Sequence, residues 1–212
     1  MKYKNIMTTY SPPTVVFENI SANDTDNTYP IFVSLYTTNN GYEEYALKLI
    51  ESLNKFKLPY YVEGVTLDSP KWNLVTKFKP FILLKVMDIY NRSVIWIDAD
   101  AKIEKLPVFF KQITKDFAVH YVRNKTVQLA SGLCYFANNK IGKDILNDWI
   151  NENKAYPKIF DQVNLQKVIT LKYKKNEQLL PKEYLCIYDH PQYKDLDWVI
   201  SQWQASRTLK KD

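Results

Sequence analysis

Glycine is scarce in this sequence, with only 4 residues in a chain of 212. Dinucleotide-binding and P-loop motifs need glycines at fixed spacing, because the backbone of those loops closely surrounds the phosphate groups. Neither G-x-G-x-x-G nor the Walker pattern occurs in the chain. The sequence therefore lacks glycine-rich phosphate loops, which argues against a dinucleotide enzyme or a P-loop ATPase and favours a site in which a metal ion and side chains hold phosphate.

Cysteines and long apolar runs are also few. The 2 cysteines, Cys134 and Cys186, each lie among apolar residues, which predicts buried free thiols and a reducing compartment. Residues 1–10 are polar, and no apolar run is long enough to span a bilayer. We therefore expect a soluble cytoplasmic protein without a signal peptide or a transmembrane segment.

The formal net charge is +6, but the Lys and Arg residues are scattered along the chain rather than clustered in a recognised motif. Scattered lysines are typical of solvated faces, so we expect no nucleic-acid partner. Residues 1–29 are rich in Asn, Thr, Ser and Pro and predict an irregular N-terminal arm. The remaining residues, 30–212, predict one compact domain, which we expect to be a monomer.

A strand, a helix and a second strand follow the arm. Ile31–Tyr36 is a predicted strand, Asn40 and Glu43 form a capping-box pattern for a helix, and residues 59–65 predict the next strand. This is a βαβ unit, whose two strands are parallel. We therefore predict an α/β fold with a mostly parallel central sheet, helices on its faces and a ligand site at the carboxyl ends of the strands.

Later segments continue the alternation. Lys79-Pro80 begins a buried helix to about Asn91, and a helix from Ile141 to Asn151 has an apolar face. Shorter elements are predicted as a helix at 107–113, strands at 116–121, 127–138 and 184–188, and a helix after Asp161-Gln162. From Ser201 onward we predict a polar, basic tail.

The stretch Val94–Ile97 is fully apolar and ends at Asp98-Ala99-Asp100. In an extended chain, side chains two residues apart lie on the same side about 6.5 Å from each other, so both carboxylates reach one divalent cation. Mg²⁺ and similar ions favour one or two carboxylates together with substrate phosphates. The stretch therefore predicts a metal site that carries a diphosphate.

Asp-x-Asp is a weak pattern by itself, since it also occurs at Asp24/Asp26 and Asp195/Asp197. Both of those copies lie in polar connections and predict solvated turns, whereas the copy at Asp98 follows a buried strand. The alternative interpretation of Asp98 and Asp100 is a turn and a helix cap after the strand.

Other candidate residues also have two interpretations. Lys79 is either a surface lysine or a cation that contacts phosphate, and its place at a helix N-terminus, where cations are disfavoured, favours function. Asp161 is either an N-cap or a functional carboxylate. At Ser131-Gly132 the missing side chain allows a substrate to approach the backbone.

The ordered set of these motifs resembles the GT-A glycosyltransferases, especially the small nucleotide-diphosphosugar transferases of bacteria and large viruses, among them chlorella-virus domains. The resemblance covers about residues 30 to 207. It rests on Lys79-Pro80, Val94–Ala101, Ser131-Gly132, Trp149 and Asp161-Gln162, in this order.

The resemblance implies a sugar-nucleotide donor, with UDP as the expected nucleotide, and a Mn²⁺ or Mg²⁺ ion between Asp98-Ala99-Asp100 and the diphosphate. It places the base and ribose at Thr37, Thr38 and Tyr42, the diphosphate or sugar at Lys79, Ser131 and Gly132, and the transferred sugar at Asp161 and Gln162. The tail Gln204-Ala205-Ser206-Arg207 resembles the closing segment of the group, with Arg207 near the phosphates.

One departure concerns the third metal ligand. Similar sequences often carry a histidine just before the closing segment, where this chain has Ser201-Gln202-Trp203. Gln202 offers an amide oxygen, and His190 in the preceding loop offers an imidazole. We slightly prefer His190 because imidazole suits many transition metals.

The resulting hypothesis is a metal-dependent glycosyltransferase that acts on a glycan acceptor. The first alternative, a nucleotidyltransferase that makes the sugar nucleotide, usually has a glycine-rich basic loop after its first strand, which Thr37–Gly41 lacks. The second alternative is a non-catalytic module that binds nucleotide sugars, and donor hydrolysis separates it from an enzyme.

Overall fold

The computed structural model describes residues 15–20, 29–38, 40–66, 72–123 and 126–209. Its strands are β1 Val15–Asn19, β2 Ile31–Thr37, β3 Tyr60–Val65, β4 Val94–Ile97, β5 Ala101–Ile103, β6 Phe117–Arg123, β7 Val127–Phe136, β8 Glu177–Leu179, β9 Cys186–Ile187 and β10 Ile200–Gln202. Its α-helices are α1 Tyr42–Lys55, α2 Trp72–Val75, α3 Lys79–Tyr90, α4 Lys140–Ala155, α5 Asp161–Val168 and α6 Ala205–Leu209.

A seven-stranded sheet with the order β1-β3-β2-β4-β7-β6-β8 forms the centre of the molecule. Strand β2 pairs in parallel with β3 and with β4, as the predicted βαβ unit requires, and β8 pairs in parallel with β6. The pairings of β1 with β3, β4 with β7 and β6 with β7 are antiparallel, so the sheet is mixed. A smaller sheet has the order β5-β10-β9.

Strand β4 separates two hydrophobic cores by the alternation of its side chains. Ile95 and Ile97 belong to the core that contains residues of α1 and of the small sheet, whereas Val94 and Trp96 belong to the core that contains residues of α3, α4 and α5. All four residues are buried, as expected for a strand covered on both faces. The α/β class and the central sheet with flanking helices are thus confirmed.

The helices follow the sequence predictions with small shifts in their boundaries. Helix α3 has Pro80 in its first turn and is buried along most of its length, and helix α4 buries Ile145, Leu146, Trp149 and Ile150 as predicted. The predicted cap of α1, Asn40, lies one residue before the N-cap position, but its side-chain oxygen does accept a hydrogen bond of 3.4 Å from Tyr42 N–H at the start of the helix. Gly41, at φ 83°, occupies the N-cap position, because glycine adopts this left-handed backbone without steric cost.

Other segments differ from the prediction. Val15–Asn19, expected to be irregular, pairs with β3 as an edge strand. Residues 66–77, expected to be a polar connection, include helix α2, and residues 108–112 form a 3₁₀ helix. The predicted polar tail instead begins within β10 and continues into α6, because Ser201 and Gln202 are buried by pairing with β5 and β9.

Both cysteines are buried free thiols, as predicted. None of the helices in the described ranges is long and apolar enough to cross a membrane. The pair Asp24/Asp26 and the predicted basic end of the tail, Lys210 and Lys211, lie outside the described residues.

Candidate active site

The segment Asp98–Ala101 forms a turn at the carboxyl end of β4. The backbone N–H of Asp98 donates to Gly132 O at 3.0 Å, which extends the pairing with β7 by one residue, and Ala101 N–H donates back to Asp98 O at 3.0 Å. The extended spacing expected for Asp98 and Asp100 therefore does not apply. The turn directs the two carboxylates toward different neighbours, although they remain close enough to affect each other electrostatically.

Asp98 lies between a lysine and an indole. Its Oδ1 is 3.0 Å from Lys79 Nζ and accepts a hydrogen bond of 2.7 Å from Trp96 Nε1. Lys79 Nζ also lies 5.2 Å from the centre of the Trp96 ring, which is a cation–π distance. Trp96 and Asp98 are two residues apart at the end of one strand, so strand geometry places them on the same side.

A second carboxylate, Asp161, meets the same lysine from helix α5. Its Oδ2 lies 3.6 Å from Lys79 Nζ and accepts from Ser131 Oγ at 3.3 Å. Gln162 reaches the neighbouring backbone, where its Oε1 accepts from Ser131 N–H at 3.4 Å. Asp161 is the first residue of α5 and makes no capping hydrogen bond, so its interpretation as an N-cap was wrong.

Lys79 is 5% exposed and therefore is not a surface lysine. Burial disfavours its ammonium form, but the charges of Asp98 and Asp161 outweigh this effect and raise the pKa of Lys79 above its usual value. The ammonium also donates to Ser131 O at 3.3 Å. Lys79 is thus a permanent cation that holds two carboxylates from different elements.

Asp100 faces helix α6 instead. Its Oδ2 accepts from the Ala205 backbone N–H at 2.7 Å, and its backbone oxygen accepts from Trp203 N–H at 3.0 Å. Burial, and after it the negative charge of Asp98, raises the pKa of the Asp100 carboxyl to about 6. Its surroundings thus disfavour the ionised form of Asp100, and a nearby cation would favour that form.

Tyr42, the first residue of α1, lies near the same carboxylates. Burial raises the pKa of its hydroxyl to about 12, Asp100 and Asp98 add to this effect, and a hydrogen bond with Ser206 opposes it. Helix α6 also contacts the start of α1 through Leu209, which packs against Gly41. The closing segment therefore already covers this side of the site.

Because Gly132 has no side chain, Asp98 and Gln202 approach its backbone closely. A Cβ atom built on Gly132 would lie 2.9 Å from Asp98 Oδ2 and 3.6 Å from Gln202 Oε1. Gln202 pairs with Ala101 in the small sheet and is 2% exposed, which fixes its amide beside the turn. Within the described part of the chain, Gln202 Nε2 has no hydrogen-bond partner.

Backbone pairing of β10 thus places the amide of Gln202 beside the turn, with its oxygen on the side of Asp98. His190 lies in the loop after β9, where its ring packs against Tyr193 at 5.3 Å and its Nδ1 accepts from Gln192 N–H at 3.2 Å. The geometry favours Gln202 over His190 as the third ligand of a cation.

Arg207 forms an ion pair with Asp189 in the loop after β9. Thr37 is buried at the end of β2 and accepts from the amide of Asn40, and Thr38 Oγ1 lies 2.8 Å from Thr66 Oγ1. These threonines thus lie at the carboxyl ends of β2 and β3, beside the start of α1. Their predicted contacts with base, ribose and phosphate stay predictions.

A cavity of about 610 Å³ lies beside Asp100, between α1 and β5. This volume is within the usual range for small-molecule sites. Its lining includes Tyr45, Lys48, Ser52, Ile103 and Trp203.

No protein-family profile and no curated protein sequence matches the chain. Solved structures of glycosyltransferases do match it. A glycosyltransferase involved in the glycosylation of the major capsid of PBCV-1 aligns with 85% of this chain and 99% of its own, at 13% identity and a TM-score of 0.61. GlyE of Streptococcus pneumoniae TIGR4 aligns with 82% of this chain and 55% of its own, at 14% identity and a TM-score of 0.57.

The galactosyltransferase LgtC, solved with donor and acceptor sugar analogues, aligns with 85% of this chain and 94% of its own, at 9% identity and a TM-score of 0.53. The chain has the fold of these glycosyltransferases. The resemblance inferred from the ordered motifs is thereby confirmed for the fold.

Within this glycosyltransferase fold, several residues of the site were missed by the sequence reasoning. Trp96 bonds Asp98, and the backbone of Ala205 bonds Asp100. A second lysine, Lys77, is 3% exposed, and burial lowers its pKa, whereas the charge of Asp161 opposes that shift. In the sequence, the alternation Trp96-Ile97-Asp98 could have indicated the contact of Trp96 with Asp98, because it places the indole on the same side as the carboxylate.

Proposed function

We propose that the protein is a metal-dependent glycosyltransferase that moves a sugar from a nucleoside diphosphate, with UDP as the first candidate, to a hydroxyl group of a glycan acceptor. The observation that carries this proposal is the close approach of Asp98 Oδ2 and Gln202 Oε1 to Gly132 at the carboxyl edge of the sheet, with Asp100 near enough to Asp98 to be affected by its charge. Beside it, the buried Lys79 links Asp98 to Asp161.

The residues present fit a hard divalent cation. Asp98, Asp100 and Gln202 would hold Mn²⁺ or Mg²⁺ through oxygen atoms, although no group of three or more His, Cys, Asp and Glu side chains in the described ranges is placed to hold a metal ion by itself. Such ions keep positions for phosphate oxygens, so an incomplete protein site suits a diphosphate ligand. When bound, the cation supplies Lewis-acid stabilisation of the leaving nucleoside diphosphate.

The remaining roles, which are contacts with the nucleoside and sugar and positioning of the carboxylates, are assigned to different side chains. Tyr42, which lies near Asp100, would contact the base and ribose together with Thr37 and Thr38. The cavity beside Asp100, whose lining includes none of these three residues, offers further room for the donor. Asp161 and Gln162 lie on the other side of Lys79, where the transferred sugar would be positioned. Lys79 orients both carboxylates and compensates their charge, which is a positioning role.

The experiment that tests this proposal is thermal unfolding with UDP and Mn²⁺, because a ligand that binds only the native state raises the melting temperature. We expect stabilisation of the wild type that disappears with excess chelator and in Asp100→Ala. Asp195→Ala, in the other described Asp-x-Asp, is the matched control and should behave like the wild type.

Hydrolysis of UDP-sugars by the purified protein then separates an enzyme from a binding module. Stabilisation that persists in chelator, or full activity of Asp100→Ala, would contradict the metal assignment. The cytoplasmic location and the monomeric state expected from the sequence stay predictions.

A further inference from the structure

Two exposed aromatic rings stack on each other next to the candidate metal ligands. Tyr188 is 44% exposed and Trp203 is 41% exposed, and their ring centres lie 5.4 Å apart at an interplanar angle of 15°. The structure thus leaves a substantial area of two large aromatic side chains in water. Such a patch beside an active site is typical of a binding surface.

Backbone hydrogen bonds connect both aromatic residues to the candidate metal ligands. Trp203 N–H donates to Asp100 O at 3.0 Å, and Tyr188 N–H donates to Gln202 O at 3.2 Å. The indole is further fixed by a hydrogen bond of 3.0 Å from Trp203 Nε1 to Ser201 Oγ. Because the pair is already ordered, a ligand that stacks on it loses little binding energy to ordering the protein.

An ion pair includes the residue next to Tyr188 in the chain. Asp189 is adjacent to Tyr188 in the chain and forms an ion pair with Arg207, and both side chains are partly exposed. A pyranose ring has an apolar face of C–H groups and a rim of hydroxyl groups, so it matches an aromatic face with a carboxylate and a guanidinium at its edge.

We propose that Tyr188 and Trp203 form a platform that binds a sugar ring of the acceptor. This inference rests on the proposed function, because the platform adjoins Asp100 and Gln202 through the hydrogen bonds above. It makes the acceptor a saccharide and assigns Tyr188 and Trp203 as residues that determine its binding.

The test measures saccharide binding and nucleotide binding separately. Saturation-transfer NMR with the methyl glycosides of glucose, galactose, mannose and N-acetylglucosamine is recorded on protein loaded with UDP and Mn²⁺. We expect at least one glycoside to receive saturation from aromatic protons, with its affinity lowered about tenfold in Tyr188→Ala and in Trp203→Ala. Tyr156→Ala, which removes another exposed tyrosine, should retain wild-type saccharide binding.

Two further measurements keep the result interpretable. Trp203→Phe retains an aromatic face and should keep most saccharide affinity, and melting temperatures show whether each variant is folded. Calorimetry of UDP with Mn²⁺ shows whether Trp203 instead belongs to the nucleotide site, since it also lines the cavity beside Asp100.

The proposal is wrong if no glycoside binds to the loaded protein, if both alanine variants keep wild-type saccharide affinity, or if their loss is confined to UDP binding. Failure of the proposed function has a different result, because the wild type would then not bind UDP with Mn²⁺ at all.

Discussion

Replacing Asp100 by asparagine is expected to stabilise the metal-free protein while it removes metal-dependent nucleotide binding. Asparagine has nearly the same shape and its oxygen can still accept from Ala205 N–H, a bond of 2.7 Å in the structure. It lacks the charge that burial and Asp98 disfavour. The variant therefore relieves electrostatic strain without losing the hydrogen bond.

The magnitude follows from the pKa of Asp100. A rise from 3.8 to about 6 corresponds to about 3 kcal/mol of lost stability when the group is fully ionised, at about 1.4 kcal/mol per unit. Because the native pKa exceeds the unfolded value, this loss is absent below about pH 4, develops as pH rises from about 4 to about 6 and is fully present above that range. The gain in the variant should therefore be largest above pH 7 and about half as large at pH 5.

The assay is unfolding in the presence of chelator at pH 5, 6 and 7.5, followed by the same series with UDP and Mn²⁺. For a chain of this size, each kcal/mol shifts the melting temperature by roughly 2–4 °C, so the effect is well above the measurement error. Asp195→Asn, in an exposed loop, should change stability by less than about 0.5 kcal/mol. An Asp100→Asn protein that is no more stable than the wild type at pH 7.5, or a gain that does not vary with pH, would refute this reasoning.

Three further variants test separate parts of the site. Gln202→Ala should weaken Mn²⁺-dependent UDP binding, and Gln202→His should restore it with a greater preference for Mn²⁺ over Mg²⁺, because imidazole suits transition metals. A titration of UDP binding with each metal checks this, and normal binding by Gln202→Ala would exclude Gln202 as a ligand. Asp161→Asn should leave UDP affinity within about twofold while transfer falls by about 100-fold or more, as measured by calorimetry and product formation; weaker UDP binding with normal transfer would place Asp161 elsewhere. Asp189→Ala releases Arg207 from its exposed ion pair, so the free energy of unfolding should change by less than about 1 kcal/mol, and the variant should bind UDP at least as tightly as the wild type. Weaker UDP binding by the variant would show that Arg207 does not turn to the diphosphate.

Strong local patterns predicted the centre of the fold. Burial and periodicity within a few residues determine three features: the apolar run Val94–Ile97, the helix start at Lys79-Pro80 and the parallel pair of β2 and β3. Strand β10 was not predictable in this way. It has only three residues, two of them polar, and it is a strand because β5 and β9 pair with its two edges.

The site was predictable as a set of residue types but not as an arrangement. The sequence indicated Asp98, Asp100, Lys79 and Asp161, yet it did not show that one buried ammonium contacts two of the three carboxylates. The prediction also assumed that the chain stays extended after Ile97, whereas a hydrogen bond from Ala101 N–H to Asp98 O closes a turn there. These features depend on contacts between distant segments, which local patterns do not encode.

The shared carboxylate of Asp98 has a thermodynamic consequence. Any cation that binds there competes with Lys79, whose ammonium already lies 3.0 Å from Asp98 Oδ1. Under the proposed function we therefore expect the protein alone to bind the ion weakly, and we expect the negative charge of a diphosphate to shift the balance, so that metal and nucleotide would bind cooperatively. Because such coupling is reciprocal, loss of either ligand promotes release of the other.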